Sequence, residues 1–582
     1  MKSDAENILK GIGAAPGISI SQAFLYKKEL EEIVNDEISD VEDALQNLNV
    51  ALEKSKKELR KIFSLAVDKL GDKRAAIFEA QIMILDDPIL VKTIEDRIRN
   101  EKRAPEFIVH DEISKYTDLM NLSHETYMRE RSHDIEDIKN RIVRNLKKKK
   151  WKSRITSDVV VVTTSVTPSD TVLFSRVNVK GYVTDFGGLT SHAAIVARSL
   201  NIPAVVGLHD ASNRIKDGDL LIIDGYKGEV ILNPTEKQLG DYQKKIARLQ
   251  KLDIELVKLK ELPASTTDGV EIQLMANLEL IDEVEVVNQN GAKGIGLVRT
   301  EQLFEEYEAF PDEEEQYKAY TKIAERIYPN NVVIRTFDIG GDKVLPVDLK
   351  EPNPFLGWRG IRLLLDNPQL FKSQIRAVLR ASTHKNVKLM LPMIASIIEI
   401  KKSKEIISQC KEELKKEGRA FDKHMSLGIM IEIPSAAVLI KDFAEEVDFV
   451  SIGTNDLIQY LLAVDRGNEI VSGIYQEFHP AVVRTLHHII TGGKNAGASV
   501  SLCGEMAADP FAVPLLIGLG LDTISVSASA IPLIKKIIRN LSYKELKSLA
   551  EECLQFKSEK EINTRLHQFY NNKEKDQIKN LY

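Results

Sequence analysis

Eight short, almost wholly apolar segments, most followed by a stretch of helical period, fill the second half of this chain and predict a parallel TIM-type (β/α)8 barrel there. A second group of apolar segments, interrupted by one glycine-led helix, predicts a smaller α/β domain ahead of it. A charged, glycine-poor run of helical period lies inside that α/β sequence and predicts an inserted all-α subdomain. At 582 residues the chain is too long for one core, so a multidomain α/β protein is expected.

The elements follow in order. GIGAAPGISISQAFL opens the chain with strand-like alternation, and residues 1–27 are assigned to the α/β domain. In residues 28–146, Leu45, Leu48, Leu52 and Leu59 recur at helical spacing and AAIFEAQIMILDD continues the pattern, which predicts the helical subdomain. After the run LKKKKWK, DVVVVTT, GYVTDF, PAVVGL, LLIIDG and EVILN return to strand and complete the α/β domain over 147–234. The lysine run itself reads as a solvated helix end or linker, with a partner-binding patch as the alternative. Residues 235–261 predict one long connecting helix. The barrel is assigned to 262–575, with strands IQLMANL, GIGLVRT, NVVIRTFD, VKLMLPMI, LGIMIEI, DFVSIGTND, SVSLCGE and DTISVSA.

Composition excludes several classes. The chain has 80 basic and 87 acidic residues for a net charge of −7, which argues against nucleic acid as a partner. Its three cysteines, Cys410, Cys503 and Cys553, are too scattered for a disulfide framework or a zinc site, and a reducing cytoplasm is expected. No signal-peptide core and no apolar run of membrane-spanning length appears, so membrane insertion is not expected.

Polar residues close several barrel strands: Arg299, Arg335 with Asp338, Glu432, Asn455 with Asp456, and Cys503 with Glu505. Strand C-termini form the functional face of such barrels, so these residues are expected to meet at one mouth. Singly, each is as well explained by a surface ion pair; their recurrence on successive strands points to a site. Arg299, Arg335 and Arg466 supply forked donors for phosphate or carboxylate, with Lys343 and Arg359 as further candidates. Glu432 and Asp456 are hard oxygen ligands suited to a Mg²⁺ whose octahedron is completed by substrate oxygens. The set describes a site for a small, multiply charged phosphate. Cys503 has two readings, a small buried hydrophobe or a proton donor.

One histidine stands apart. In GGLTSHAAIVARSL, a glycine turn and a Thr190 or Ser191 cap place His192 in the first turn of a helix, where free N–H groups and the helix dipole favour a phosphoryl group. Small neighbours leave its ring approachable, and a histidine accepts phosphoryl covalently. The alternative is a histidine making a local hydrogen bond, and the residues alone leave both open. No G-x-x-x-x-G-K-[ST] loop competes for a nucleotide.

Taken together, GGLTSHAAIVARSLNIPAVVG, IMIEIPSAAVLIKDFAEEVDFVSIGTNDLIQYLLAVDRGN, RTEQLF, RTFDIGGDK, NPFLGWRGIR, MLPMI, LCGEMAADP, TPSDT and GIGAAPGI resemble Enzyme I of bacterial phosphotransferase systems over nearly the whole chain. The resemblance implies that phosphoenolpyruvate binds at the barrel mouth with Mg²⁺ and that His192 takes its phosphoryl group. It implies that Cys503 then protonates the enolate to pyruvate, and that the phosphoryl group passes to the phosphocarrier HPr as the first step of sugar uptake. It gives substrate contacts to Arg299, Arg335, Asn455, Asp456 and Arg466 and metal ligation to Glu432 and Asp456. It also implies a homodimer through the barrel, HPr binding by the helical insertion, and a cytoplasmic bacterial protein. Because His192 and the mouth fall in different domains, a large swivelling motion about the connecting helix is expected.

The pattern is departed from at Gln302 and Phe337, and at Glu136, Lys139 and Asn140 near the end of the helical region. The last group bears on partner recognition or on the phosphohistidine environment. Three rival identities compete with Enzyme I. A phosphoenolpyruvate synthase or dikinase would need an ATP-grasp domain that the N-terminal helical stretch is too short to be. A nitrogen-related paralogue and a non-catalytic scaffold keeping the fold complete the three.

Overall fold

The computed structural model describes residues 7–26, 33–70, 72–121, 126–148, 158–166, 202–279, 283–301, 310–340, 353–466 and 471–571, with positions 170, 174, 179–188, 194, 197–198, 303, 351 and 468. The chain divides into two compact units, the first reaching Leu249 and the second beginning at Gln250.

In the first unit, β1 (Ile8–Lys10), β2 (Ile12–Ala15) and β3 (Ile18–Leu25) precede the helical insertion, and β4 (Val159–Thr163), β5 (Gly181–Thr184), β6 (Ala204–Val206), β7 (Leu220–Asp224) and β8 (Glu229–Leu232) follow it. They form one eight-stranded sheet in the order β1-β8-β7-β3-β4-β5-β6-β2. Its centre, β3 to β6, is parallel, with Gln22 opposite Val159 and Val160 opposite Gly181. Strands β4, β5 and β6 are buried at every position, as expected of valine-rich strands covered on both faces.

The insertion comprises α1 (Val41–Leu70), α2 (Asp72–Asp86), α3 (Pro88–Glu101), α4 (Pro105–Asn121) and α5 (Thr126–Leu146). Leu45, Leu48, Leu52 and Leu59 all lie in its core, with Phe78, Ile98, Ile108 and Ile142. Helix α3 starts where Asp87 accepts from the Ile89 N–H and Pro88 fills the first helical position. The expected connector is a single helix, Glu236–Lys258. Lys245 near its start pairs with the buried Asp224 at 3.0 Å, and Glu255 near its end pairs with Lys536 at 2.7 Å.

All eight predicted barrel strands form: β9 (Gln273–Leu278), β10 (Gly294–Val298), β11 (Asn331–Arg335), β12 (Val387–Leu391), β13 (Leu427–Ile431), β14 (Phe449–Ile452), β15 (Ser499–Leu502) and β16 (Thr523–Ser527). They pair in chain order, all parallel, and β16 closes on β9. Leu297, Val333, Met390, Met430, Phe449 and Cys503 make a separate apolar cluster, and the larger cluster gathers strand residues with the surrounding helices. A packed barrel interior leaves its strand ends as the place where polar groups collect.

Candidate active site at the barrel mouth

Two buried carboxylates organise the arginines at the ends of β10 and β11. Glu301 accepts from Arg335 Nη2 at 2.8 Å and from the Asp338 backbone N–H at 2.8 Å. Asp338 in turn accepts from Arg359 Nε at 3.1 Å and Nη2 at 2.7 Å, a bidentate pair. Arg359 reaches on to Asp456 Oδ2 at 3.3 Å and Tyr460 Oη at 3.4 Å. Burial works against charge on Arg335, yet Glu301, Asp338 and Glu432 outweigh it and hold its pKa above the ordinary arginine range. For Arg359, burial is likewise outweighed, chiefly by Asp338. Arg335 Nε is buried with no hydrogen-bond partner among the described residues, a donor left for a ligand.

Glu432, just beyond β13, is buried and its Oε1 accepts from the Met393 backbone N–H at 2.6 Å. Met393 takes a positive φ of 57°, rare for a side chain without a local polar group, and this is the backbone whose N–H bonds Glu432. Burial first, then the negative charges of Asp456 and Asp338, push the Glu432 carboxyl up to about 8. A Cβ at Gly453 would stand 3.0 Å from Glu432 Oε2, so glycine keeps the space beside that oxygen clear. Among the described residues no group of three or more His, Cys, Asp or Glu is arranged to hold a metal alone. Two all-oxygen ligands with cleared space nonetheless fit a Mg²⁺ that takes its remaining ligands from substrate and water.

Asn455 and Glu505 bind each other twice. Asn455 Nδ2 donates to Glu505 Oε1 at 2.9 Å, and the Glu505 N–H donates to Asn455 Oδ1 at 2.9 Å. Arg466 Nη1 lies 3.4 Å from the same Glu505 oxygen, and Arg299 pairs with Glu279. Both acidic partners are more than half exposed, at 72% and 53% of their side chains, so these cations and amides sit at the open rim. Cys503 is buried, its N–H donating to the Ile452 carbonyl at 3.1 Å. Ser451 Oγ donates to Cys503 Sγ at 3.3 Å. Burial pushes the thiol up, while Ser451 and then Arg335 pull it back. Cys503 is thus buried in an apolar cluster while its sulfur accepts the Ser451 hydroxyl and feels the Arg335 charge.

The barrel residues expected at one mouth stand at or after five strands, β10, β11, β13, β14 and β15, and direct contacts tie them into three groups: Arg335–Asp338–Arg359–Asp456, Asn455–Arg466 through Glu505, and Cys503 with Ser451. Two candidates, His192 and Lys343, lie outside the described residues, as do Gln302 and most of TPSDT and LKKKKWK. Near His192, Ala194 and Ala197 are fully buried in the sheet's core. Ala194 is small where it packs against the sheet. Gly188, by contrast, has nothing within 4 Å of an added Cβ.

The departures resolve in part. Phe337 is a core side chain, 6.0 Å from the Phe310 ring, and does not enter the site. Lys139 is buried inside the helical subdomain, bonding Ser114 Oγ at 3.2 Å with Glu136 at 3.8 Å, while Asn140 is exposed. Sequence reading missed Glu301, Ser451 and Gln374 as working parts. Gln374 is a polar residue on the apolar face of Phe371, Ile375 and Val378, a signal that was there to read.

The chain matches the family descriptions "PEP-utilising enzyme, N-terminal" over residues 10–131, "PEP-utilising enzyme, mobile domain" over 155–228 and "PEP-utilising enzyme, PEP-binding domain" over 254–543. It is 42% identical over 560 residues to the phosphoenolpyruvate-protein phosphotransferase of Staphylococcus epidermidis, covering 95% of this chain and 98% of that one. It is 43% identical over 558 residues to the protein of the same name from Listeria innocua, covering 95% and 98%. With that of Geobacillus stearothermophilus it shares 42% over 563 residues, covering 96% and 97%.

Proposed function

Since the chain belongs to the family of phosphoenolpyruvate–protein phosphotransferases, we propose that its barrel mouth binds phosphoenolpyruvate and that His192 attacks the phosphorus. One observation carries the assignment of the site: Arg335, Glu432 and Asp456 stand at the ends of three strands, β11, β13 and β14, Arg359 lies in the segment after β11, and the four are coupled by charge. Phosphoryl transfer needs positioning and neutralisation of spread negative charge more than it needs protein bases, and this set supplies both.

Arg299, Arg335, Arg466, Asn455 and Arg359, with Lys343, hold and orient the substrate's carboxylate and phosphate. Glu432 and Asp456 would hold Mg²⁺, which when bound would supply neutralisation of negative charge on the phosphoryl group. His192 Nε2 forms the N–P bond as the P–O bond to the enol oxygen breaks. Cys503 then gives its proton to the enolate carbon, leaving a thiolate that accepts the Ser451 hydroxyl and pyruvate that departs.

His192 precedes the division between units at Leu249 and Gln250, and Cys503 follows it. The histidine therefore swivels, charging at the mouth and discharging to the carrier HPr as the first step of sugar uptake. The domain boundaries are those set out from the sequence. Exposed Met83, Ile89, Tyr116 and Leu119 on α2, α3 and α4 support the helical insertion as the carrier's docking face. Exposed Leu356, Ile398, Val438 and Ile474, all on segments after strand C-termini, support a homodimer through the barrel. Among the described residues no helix is long and apolar enough to cross a membrane, and a cytoplasmic protein is the reading we adopt.

The test is direct. Radiolabelled phosphoenolpyruvate with Mg²⁺ and no ATP should place acid-labile, base-stable label on the protein, and none on His192→Ala. Unchanged label on that variant would overturn the assignment.

A further inference from the structure

The tripeptide Arg299-Thr300-Glu301 turns three side chains to three tasks. Arg299 meets Glu279 at the rim. Thr300 Oγ1 donates to the Arg335 carbonyl at 2.9 Å. Glu301 takes the Arg335 guanidinium and the Asp338 N–H on one oxygen. Both Glu301 and Arg335 are buried, at 5% and 6% exposure, so this pair is shielded from solvent and salt.

Behind it stands a polar chain in the apolar wall. Gln316 and Tyr320, on the helix Glu313–Ile327, are linked at 3.1 Å. Gln374, on the helix Pro368–Ala381, donates to Tyr320 Oη at 3.1 Å and to Thr300 Oγ1 at 3.3 Å. Its oxygen accepts the Phe337 N–H at 3.0 Å. The ends of β10 and β11 are thereby held in one register by groups that face away from the mouth. A buried network of this kind specifies geometry when its members are paired.

The consequence is at Arg335. With Nη2 taken by Glu301, the guanidinium cannot rotate about its own axis without breaking a charge-assisted bond. Among the described residues its Nε has no partner, and Nη1 has only Met430 Sδ at 3.6 Å and Asp338 Oδ2 at 3.5 Å. We propose that Glu301 is a positioning residue for phosphoenolpyruvate, locking the Arg335 guanidinium so that its remaining donors face the substrate's anionic oxygens. Glu301 itself touches no reacting atom. This inference rests on the reading of Arg335 as a substrate-binding residue.

A kinetic cycle in the full-length protein tests it, with KM for phosphoenolpyruvate and kcat for pyruvate release measured on Glu301→Ala, Arg335→Ala and the double variant. Loss of one hydrogen-bonded charge predicts that Glu301→Ala raises KM by about 10-fold to 100-fold with a smaller fall in kcat. In the double variant, kcat/KM should fall within about twofold of Arg335→Ala alone, because the two act as one unit. A residue that only supports the fold would lower the unfolding temperature and multiply the losses instead. Should Glu301→Ala fail to fold, Glu301→Gln takes its place; it keeps an acceptor oxygen and should raise KM by less. Multiplicative losses, or an unchanged KM in Glu301→Ala, overturn the proposal while Arg335→Ala still loses activity. An Arg335→Ala protein with unchanged kcat/KM overturns the substrate-binding reading beneath it, and the proposal with it.

Discussion

Ser451→Ala removes one atom from the site and leaves its charges in place. The Ser451 hydroxyl donates to Cys503 Sγ at 3.3 Å, and both residues are buried, on β14 and directly after β15. A hydrogen bond to a charged group is worth about 1.5–3 kcal/mol against about 1 for a neutral pair. Its loss therefore costs the thiolate about 0.5–2 kcal/mol more than the thiol, which raises the thiol midpoint by about 0.4–1.5 pH units. The thiol already stands above the ordinary cysteine value because burial disfavours its thiolate. It is thus a proton donor throughout the neutral range, and the variant makes it a weaker acid. With Cys503 as the proposed proton donor, protonation of the enolate should slow by no more than the same factor, about 3-fold to 30-fold.

The stability consequence has a definite sign. A raised folded-state pKa favours the neutral thiol. The associated stability is present below the unfolded value of about 8.5 and is lost as pH rises through the folded midpoint. The measurement is iodoacetamide alkylation against pH, resolved by mass spectrometry at Cys503, with Cys410 and Cys553 as internal references because neither contacts Ser451. A Cys503 midpoint that stays put or falls in Ser451→Ala would refute the assignment of Ser451 as the thiolate's donor.

Three further outcomes are expected. Burial and the neighbouring carboxylates push Glu432 up to about 8, so the Mg²⁺ proposed at Glu432 and Asp456 should displace a proton below that pH. Calorimetric titrations in buffers of different ionisation enthalpy should show proton release that fades above pH 8, whereas release independent of pH would contradict it. In the metal-free protein the same raised pKa gives stability that is complete below about 4.3 and lost as pH rises through 8. Gly504→Ala would set a Cβ 1.8 Å from Thr454 Oγ1 and 2.7 Å from the Thr454 nitrogen, forcing Cys503 and Asn455 apart. Urea unfolding should show a loss of about 1–3 kcal/mol, and an unchanged midpoint would refute the clash. Asp338→Ala strands Arg359 and half of Arg335's partners in a buried site, and the same assay should read about 3–5 kcal/mol; a loss under 1 would show that the pair is not shielded.

The barrel was legible because parallel strands buried on both faces must be written as unbroken apolar runs, and a polar residue closing such a run can only stand at a strand end. The positions of Arg335, Glu432 and Cys503 at or just beyond strand ends followed from that rule without any contact being known. The contacts themselves were not legible. Glu301 with Arg335, and Ser451 with Cys503, are neighbours only because β10 adjoins β11 and β14 adjoins β15. A single sequence carries no mark of which side chain leans toward the next strand. Lys139 shows the opposite hazard. A lysine reads as surface, and this one is buried, bonded to Ser114 and pressing down the pKa of His110 after burial itself.

The helical insertion has a kinetic side. It is the crossover between β3 and β4, which pair in parallel with Gln22 opposite Val159. During synthesis β3 leaves the ribosome and waits for its partner while about 130 residues are added, roughly 7–26 s at ordinary elongation rates. Left as open chain, that span would make the sheet's central pairing a costly loop closure. Collapsed first into five helices around its own leucine core, the insertion shortens the effective loop before β4 emerges. The order of emergence then favours a helical module that folds first and a sheet that assembles around its two ends. A ribosome-stalled chain long enough for Lys148 to have emerged should already protect α1 and α5 amides from exchange, with β3 still open.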